Sequence, residues 1–124
     1  MNWSVGYTAY PAAGTLAYAA PMHLVQLLLP LYAQDGGRLD SSLFRAVRQE
    51  LVERFGGLTA YSRAPAEGLW AESGEGPVER DDVVVYEVMA DSLDRAWWAR
   101  YRQELATRLR QKELVVRAQE MELL

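Results

Sequence analysis

Glu87 is the only charged residue in the run Val83–Ala90, where Val, Tyr, Met and Ala fill the other positions. A carboxylate held in so apolar a strand is a candidate general base, because desolvation disfavours its charged form and raises its proton affinity. Arg63 and Arg117 are guanidinium groups that strand periodicity brings to the same sheet face, where either could hold an anionic intermediate. Gln26 and Tyr61 add neutral hydrogen-bonding groups to that face. Trp70 follows Gly68 at a break in the chain and is placed to line the mouth of a pocket. The candidate catalytic pair is therefore Glu87 and Arg63. The candidate ligand-binding set is Gln26, Tyr61, Arg63, Trp70, Glu87 and Arg117. The competing structural reading pairs Glu87 with Arg63 on the neighbouring strand, where the two only set register.

Other chemistries are excluded or weakly supported. His23 is the single histidine, there is no cysteine, and no serine lies in a G-x-S-x-G context. Thiolate chemistry, disulfides and Cys- or His-rich metal sites therefore drop out, and neither metal nor cofactor is expected. His23 reads as a residue at a strand edge. Glu79, Asp81 and Asp82 could offer oxygen ligands to a hard cation, but beside a turn they read as charges that discourage edge pairing. Gly74-Glu75-Gly76 lacks the lysine and following helix of a phosphate loop. The net charge is −4, and the basic residues (twelve Arg and Lys112) alternate with Glu on the helices, so no nucleic-acid surface is expected. Leu24 to Tyr32 is the longest apolar run; it is too short for a bilayer and contains Gln26 and Pro30. Ala17-Tyr18-Ala19 resembles a cleavage site, but no basic segment precedes it, and Pro11 and Gly14 interrupt the apolar stretch. A cytoplasmic location is expected.

The 124 residues suffice for one core. Residues 1–21, rich in Ala, Tyr, Pro and Gly, show no clear period. They read as an irregular N-terminal arm whose Trp3, Tyr7, Tyr10 and Tyr18 could pack on the domain or on a partner. The domain is then residues 22–124. His23 to Tyr32 is a buried strand, and Asp35-Gly36-Gly37 a turn. Asp40 or Ser41 caps a helix carrying Leu43 or Phe44, Val47, Leu51 and Phe55 on one stripe, ended by Gly56-Gly57. Leu58 to Ala64 is a second strand, and Leu69 to Glu72 a possible continuation. Ser73 to Pro77 is the strongest turn signal, and Val83 to Ala90 the third strand. Asp91-Ser92 opens a second helix with Leu93, Trp97, Tyr101, Leu105 and Leu109 inward and Trp98 at the stripe's edge. Glu113 to Gln119 is the last strand.

That order is βαββαβ, an α+β ferredoxin-like fold: a four-stranded antiparallel sheet with two helices on one face, the first and third strands central and the last beside the first. The period of two sends Leu114, Val116 and Ala118, and Val84, Tyr86, Val88 and Ala90, towards the helices. The other face then carries Gln26, Tyr61, Arg63, Glu87 and Arg117 among Leu24, Leu28, Val83, Val85, Met89 and Val115. Such a face is too apolar for water, and packing two copies face to face, as a dimeric α/β barrel, is the simplest cover.

Phe55-Gly56-Gly57-Leu58-Thr59, Gly68-Leu69-Trp70, Val83 to Glu87, and Gln111 with Val115-Val116 resemble a family of small uncharacterised bacterial proteins of the DUF3574 kind. The resemblance spans roughly residues 23–119. A clear Arg-containing first-strand motif is missing here. The family implies no assigned activity, so no catalytic residue is carried over. The expected function is a homodimeric domain with a small-molecule pocket between sheet faces. The alternatives are a cofactor-free enzyme on the same fold, acting by proton transfer or on an oxidisable substrate, and a protein-interaction module docking through the N-terminal arm.

Overall fold

The computed structural model describes residues 3–9, 22–63 and 83–124. The elements are β1 (Trp3–Ala9), β2 (Met22–Pro30), α1 (Ser41–Phe55), β3 (Leu58–Arg63), β4 (Val83–Ala90), α2 (Arg95–Arg108) and β5 (Val115–Met121). They form one antiparallel sheet in the order β1-β3-β4-β2-β5. Without β1 this is the expected ferredoxin-like arrangement, with β2 and β4 central and β5 beside β2. The addition is β1. Trp3–Ala9, expected as part of an irregular arm, is an edge strand paired with β3. Its register slips between Val5 and Tyr7, the interval that holds Gly6, a residue common where a strand bulges. An interrupted alternation of this kind hides a strand from a period-two reading. A dimer or partner-docking role for the arm therefore involves residues that also belong to the sheet. The possible strand at Leu69 to Glu72, the turn at Ser73 to Pro77 and the acidic cluster Glu79, Asp81 and Asp82 lie outside the described residues.

Helix α1 starts where its cap dictates. Asp40 has an extended backbone, and its carboxylate accepts from the Ser42 amide at 2.8 Å. This bond holds the Asp40 carboxyl below its ordinary pKa. Phe44, Val47 and Leu51 are the buried stripe. Gly56 ends the helix at φ 81°, and its amide bonds the Val52 carbonyl. A Cβ at Gly56 would meet open space, so the left-handed backbone alone demands glycine. Gly56→Ala is expected to cost about 1–2 kcal/mol by urea denaturation, with no change in the dependence on denaturant concentration.

Helix α2 departs from expectation by three residues. Asp91-Ser92 precede it, and Asp94 is itself the cap, accepting from the Trp97 amide at 3.0 Å. Trp98 is buried and Trp97 half-buried, the reverse of the expected pair. Trp98, Tyr101 and Leu105 form the inward stripe, and Leu109 continues it.

Both helices lie on one sheet face. The core gathers Val25, Leu27 and Leu29 of β2, Tyr86 and Val88 of β4, and the helical stripes just named. Tyr86 ties β4 to α1: its hydroxyl donates to the Phe44 carbonyl at 3.3 Å and accepts from Arg48 at the same distance. Burial pushes the Tyr86 phenol up, with Arg48 opposing. The helices run antiparallel and are joined at two levels. Phe55 stacks on Trp98, with ring centres 5.1 Å apart, and meets Trp97 edge-on. Arg54 lies 4.0 Å over the Trp97 ring. Further along, Glu50 of α1 binds both Tyr101 and Arg108 of α2. The loop after α2 is fastened by Gln111, whose side-chain amide donates to the Tyr32 carbonyl at 2.7 Å.

Candidate functional site

The face opposite α1 and α2 carries the candidate residues, and strand register decides which of them meet. Gln26 of β2 lies between Arg117 of β5 and Glu87 of β4, and Glu87 lies opposite Thr59 of β3. One polar row therefore crosses four strands. Arg117 Nε donates to Gln26 Oε1 at 2.7 Å, and Gln26 Nε2 donates to Glu87 Oε2 at 2.5 Å. Neighbouring strands are about 4.8 Å apart, so the Arg117 and Glu87 backbones lie about 10 Å apart. The two charges do not pair directly; a neutral amide bridges them and uses both of its ends to do so.

The row fixes three side chains and, among the described residues, leaves valences open. Glu87 Oε2 is taken, while Oε1 remains to accept from a ligand. Arg117 commits only Nε, so its two Nη groups remain to grip an anion. The surroundings are apolar. Leu24, Leu28, Val83 and Met89 are half-buried, Val85 is sealed, and Val115 is 52% exposed. A carboxylate and a guanidinium in such surroundings can orient a small polar molecule, and the free carboxylate oxygen can take a proton from it.

The other expected residues fall elsewhere. Tyr61 shares the face and is half-buried, one rung from the row, opposite Val85. Arg63 lies opposite Val83. Its backbone is two rungs from Glu87, about 13 Å along the strand direction at 3.3 Å per residue. The expected Glu87–Arg63 register pair is thus replaced by the contact between Glu87 and Gln26. Trp70 lies outside the described residues.

The other side of β2 holds a feature that sequence reasoning misses. His23 is on the helix face, in a groove beside α2, and its Nδ1 is buried with no hydrogen-bond partner among the described residues. No period or motif marks this groove, because the distance from α2 to β2 and β5 creates it.

Among the described residues there is no cluster of His, Asp and Glu suited to a metal ion, and no helix is long and apolar enough to cross a membrane. Comparison of the chain with family models, with curated proteins and with solved structures finds no match. The geometry of the chain itself is therefore what speaks for its function.

Proposed function

We propose that the chain is a homodimeric domain of the dimeric α/β barrel type, in which two sheets pack face to face around the Arg117–Gln26–Glu87 row and enclose a small organic molecule. The observation that carries this reading is the row itself, set among half-buried Leu24, Leu28, Val83 and Met89. The row has a positive and a negative end with Gln26 midway. A two-fold axis parallel to β2 and above Gln26 brings the Arg117 end of each copy opposite the Glu87 end of the other. The face is thus self-complementary in charge, and the apolar side chains around it supply the area that excludes water.

A second reading on the same site is cofactor-free proton transfer. The free Oε1 of Glu87 favours it. Glu87 would act as the base, and Arg117 would hold the anion that forms. Of the two guanidinium candidates, Arg117 is the one bonded into the row. The resemblance to the DUF3574 proteins adds no activity to either reading.

Native mass spectrometry of the purified chain tests the dimer. A dimer with a reproducible small added mass is expected. Arg117→Glu should place like charges opposite each other and weaken dimerisation at least about tenfold. Combining it with Glu87→Arg should restore the dimer. A wild-type monomer at micromolar concentration, or a reversal without effect, would overturn the proposal. If Glu87→Gln leaves turnover of every substrate found unchanged, Glu87 is not the base.

A further inference from the structure

The groove on the helix face lies apart from the polar row. Val25, Trp98 and Val116 supply the apolar part of its lining, and its volume is about 370 Å³, within the lower range of small-molecule pockets. Arg95 and Arg102 of α2 stand along it. Among the described residues neither has a hydrogen-bond or ion-pair partner, although Arg102 is half-buried. Glu120, opposite His23 in the sheet, is the one carboxylate among the described residues that line the groove. Arg117 also borders it, but its guanidinium is turned to the opposite face, where Nε bonds Gln26.

Two features converge. Two uncommitted guanidinium groups outnumber the single carboxylate, so the groove favours an anion. The apolar part of the lining includes an indole, so the rest of the molecule is apolar and flat enough to lie against it.

We propose that this groove binds a small organic carboxylate with an apolar, ring-like body. The carboxylate is held by Arg102 and Arg95, and the body lies against Trp98 and Val25, beside the His23 ring. The two guanidinium groups provide the bidentate geometry that carboxylates prefer.

Phenylacetate is a suitable probe, read by NMR on the full chain. His23 is the only histidine, so its ring signals are unambiguous. Titration is expected to shift the His23 ring and the amides of residues 95–102 along one saturable curve, with a millimolar or lower dissociation constant. Phenylacetamide, which has the ring without the charge, should bind at least about tenfold more weakly. Arg102→Gln should weaken phenylacetate to a similar degree, and Arg95→Gln serves as a second variant. Among the described residues neither side chain holds the fold through a bond, and a thermal melt confirms that each variant is folded. Four results would overturn the assignment: no saturable shift, equal affinity for the amide, equal affinity in both variants, or equally tight inorganic phosphate at the same residues. Because Glu87 lies on the opposite face and does not border the groove, loss of dimerisation in Glu87→Arg leaves this test intact.

Discussion

Leu27→Ala is expected to remove about 3–4 kcal/mol of stability. Leu27 is fully buried at the centre of β2, between Tyr86 of β4 and Val116 of β5. Deleting its isobutyl group loses the transfer free energy of the buried carbons and leaves a cavity. Strands hydrogen-bonded on both sides and two cross-linked helices above cannot collapse into that space. Against a typical total of about 5–15 kcal/mol, the loss should lower the midpoint of thermal unfolding by roughly 10 °C or more. Leu28 provides the control. It is the next residue but points to the other face and is only half-buried. Leu28→Ala should cost less in folding and act chiefly on dimerisation. Equal losses at the two positions in a monomeric background would contradict the assignment of faces.

Glu50→Ala is expected to loosen the two helices from each other and to cost about 1–2 kcal/mol, most of it through the phenol left without an acceptor. Glu50 accepts from Tyr101 at 2.7 Å and from Arg108 at 2.8 and 3.0 Å, while Arg108 also binds Glu104 at 2.7 Å. The Glu50 side chain is 39% exposed, so solvent screens its ion pair with Arg108 and little of the cost falls there. The pH dependence follows from Tyr101. Burial first, and then the Glu50 carboxylate, hold its phenol well above the ordinary value of 10.0. The folded chain keeps this proton where the unfolded chain has lost it. The contribution is therefore complete below about pH 10 and fades as pH rises beyond it. Glu50→Gln should reduce the alkaline loss of stability without abolishing it, because burial persists. Chemical denaturation at pH 8 and pH 11, for wild type, Glu50→Gln and Tyr101→Phe, measures the difference. A Glu50→Gln slope identical to wild type would remove the carboxylate from the account.

The contrast between β4 and α2 shows what a single sequence makes legible. In β4 the alternation of Val84, Tyr86 and Val88 with Glu87 gives both the strand and its faces, since one charge in an apolar run marks the outer side. In α1 the spacing of Phe44, Val47 and Leu51 and the glycine at the end give the helix and its extent. In α2 three candidate caps lie within four residues, Asp91, Ser92 and Asp94. Each step along a helix turns a side chain by about 100°. Trp97 and Trp98 precede Tyr101 by four and three residues, so both flank the same buried stripe, and residue type does not say which of them turns inward.

Register is legible only in part. Gln26 reads onto the correct face although β2 is apolar on both sides. The partner of Glu87 depends on how far β3 slides along β4, which the chain between them does not specify at the level of residue types. The groove at His23 depends on the separation of α2 from β5, a distance that no local pattern encodes. Trp3–Ala9 escapes notice because its alternation is broken at Gly6 and its pairing partner is distant in sequence.

The pairing of β2 with β5 has a consequence for how the chain is made. β2 is an apolar strand and is synthesised well before β5, yet its second edge is closed only by Val115–Met121. At about 5–20 residues per second, the interval is on the order of ten seconds. Throughout it, nascent β2 offers unpaired amides and carbonyls flanked by leucines, the kind of template on which chains aggregate. The final core is thus assembled late, by a contact of long sequence separation. Slowing translation between β4 and β5 should therefore increase capture of the nascent chain by chaperones, while the folded protein shows no such exposed edge at β2.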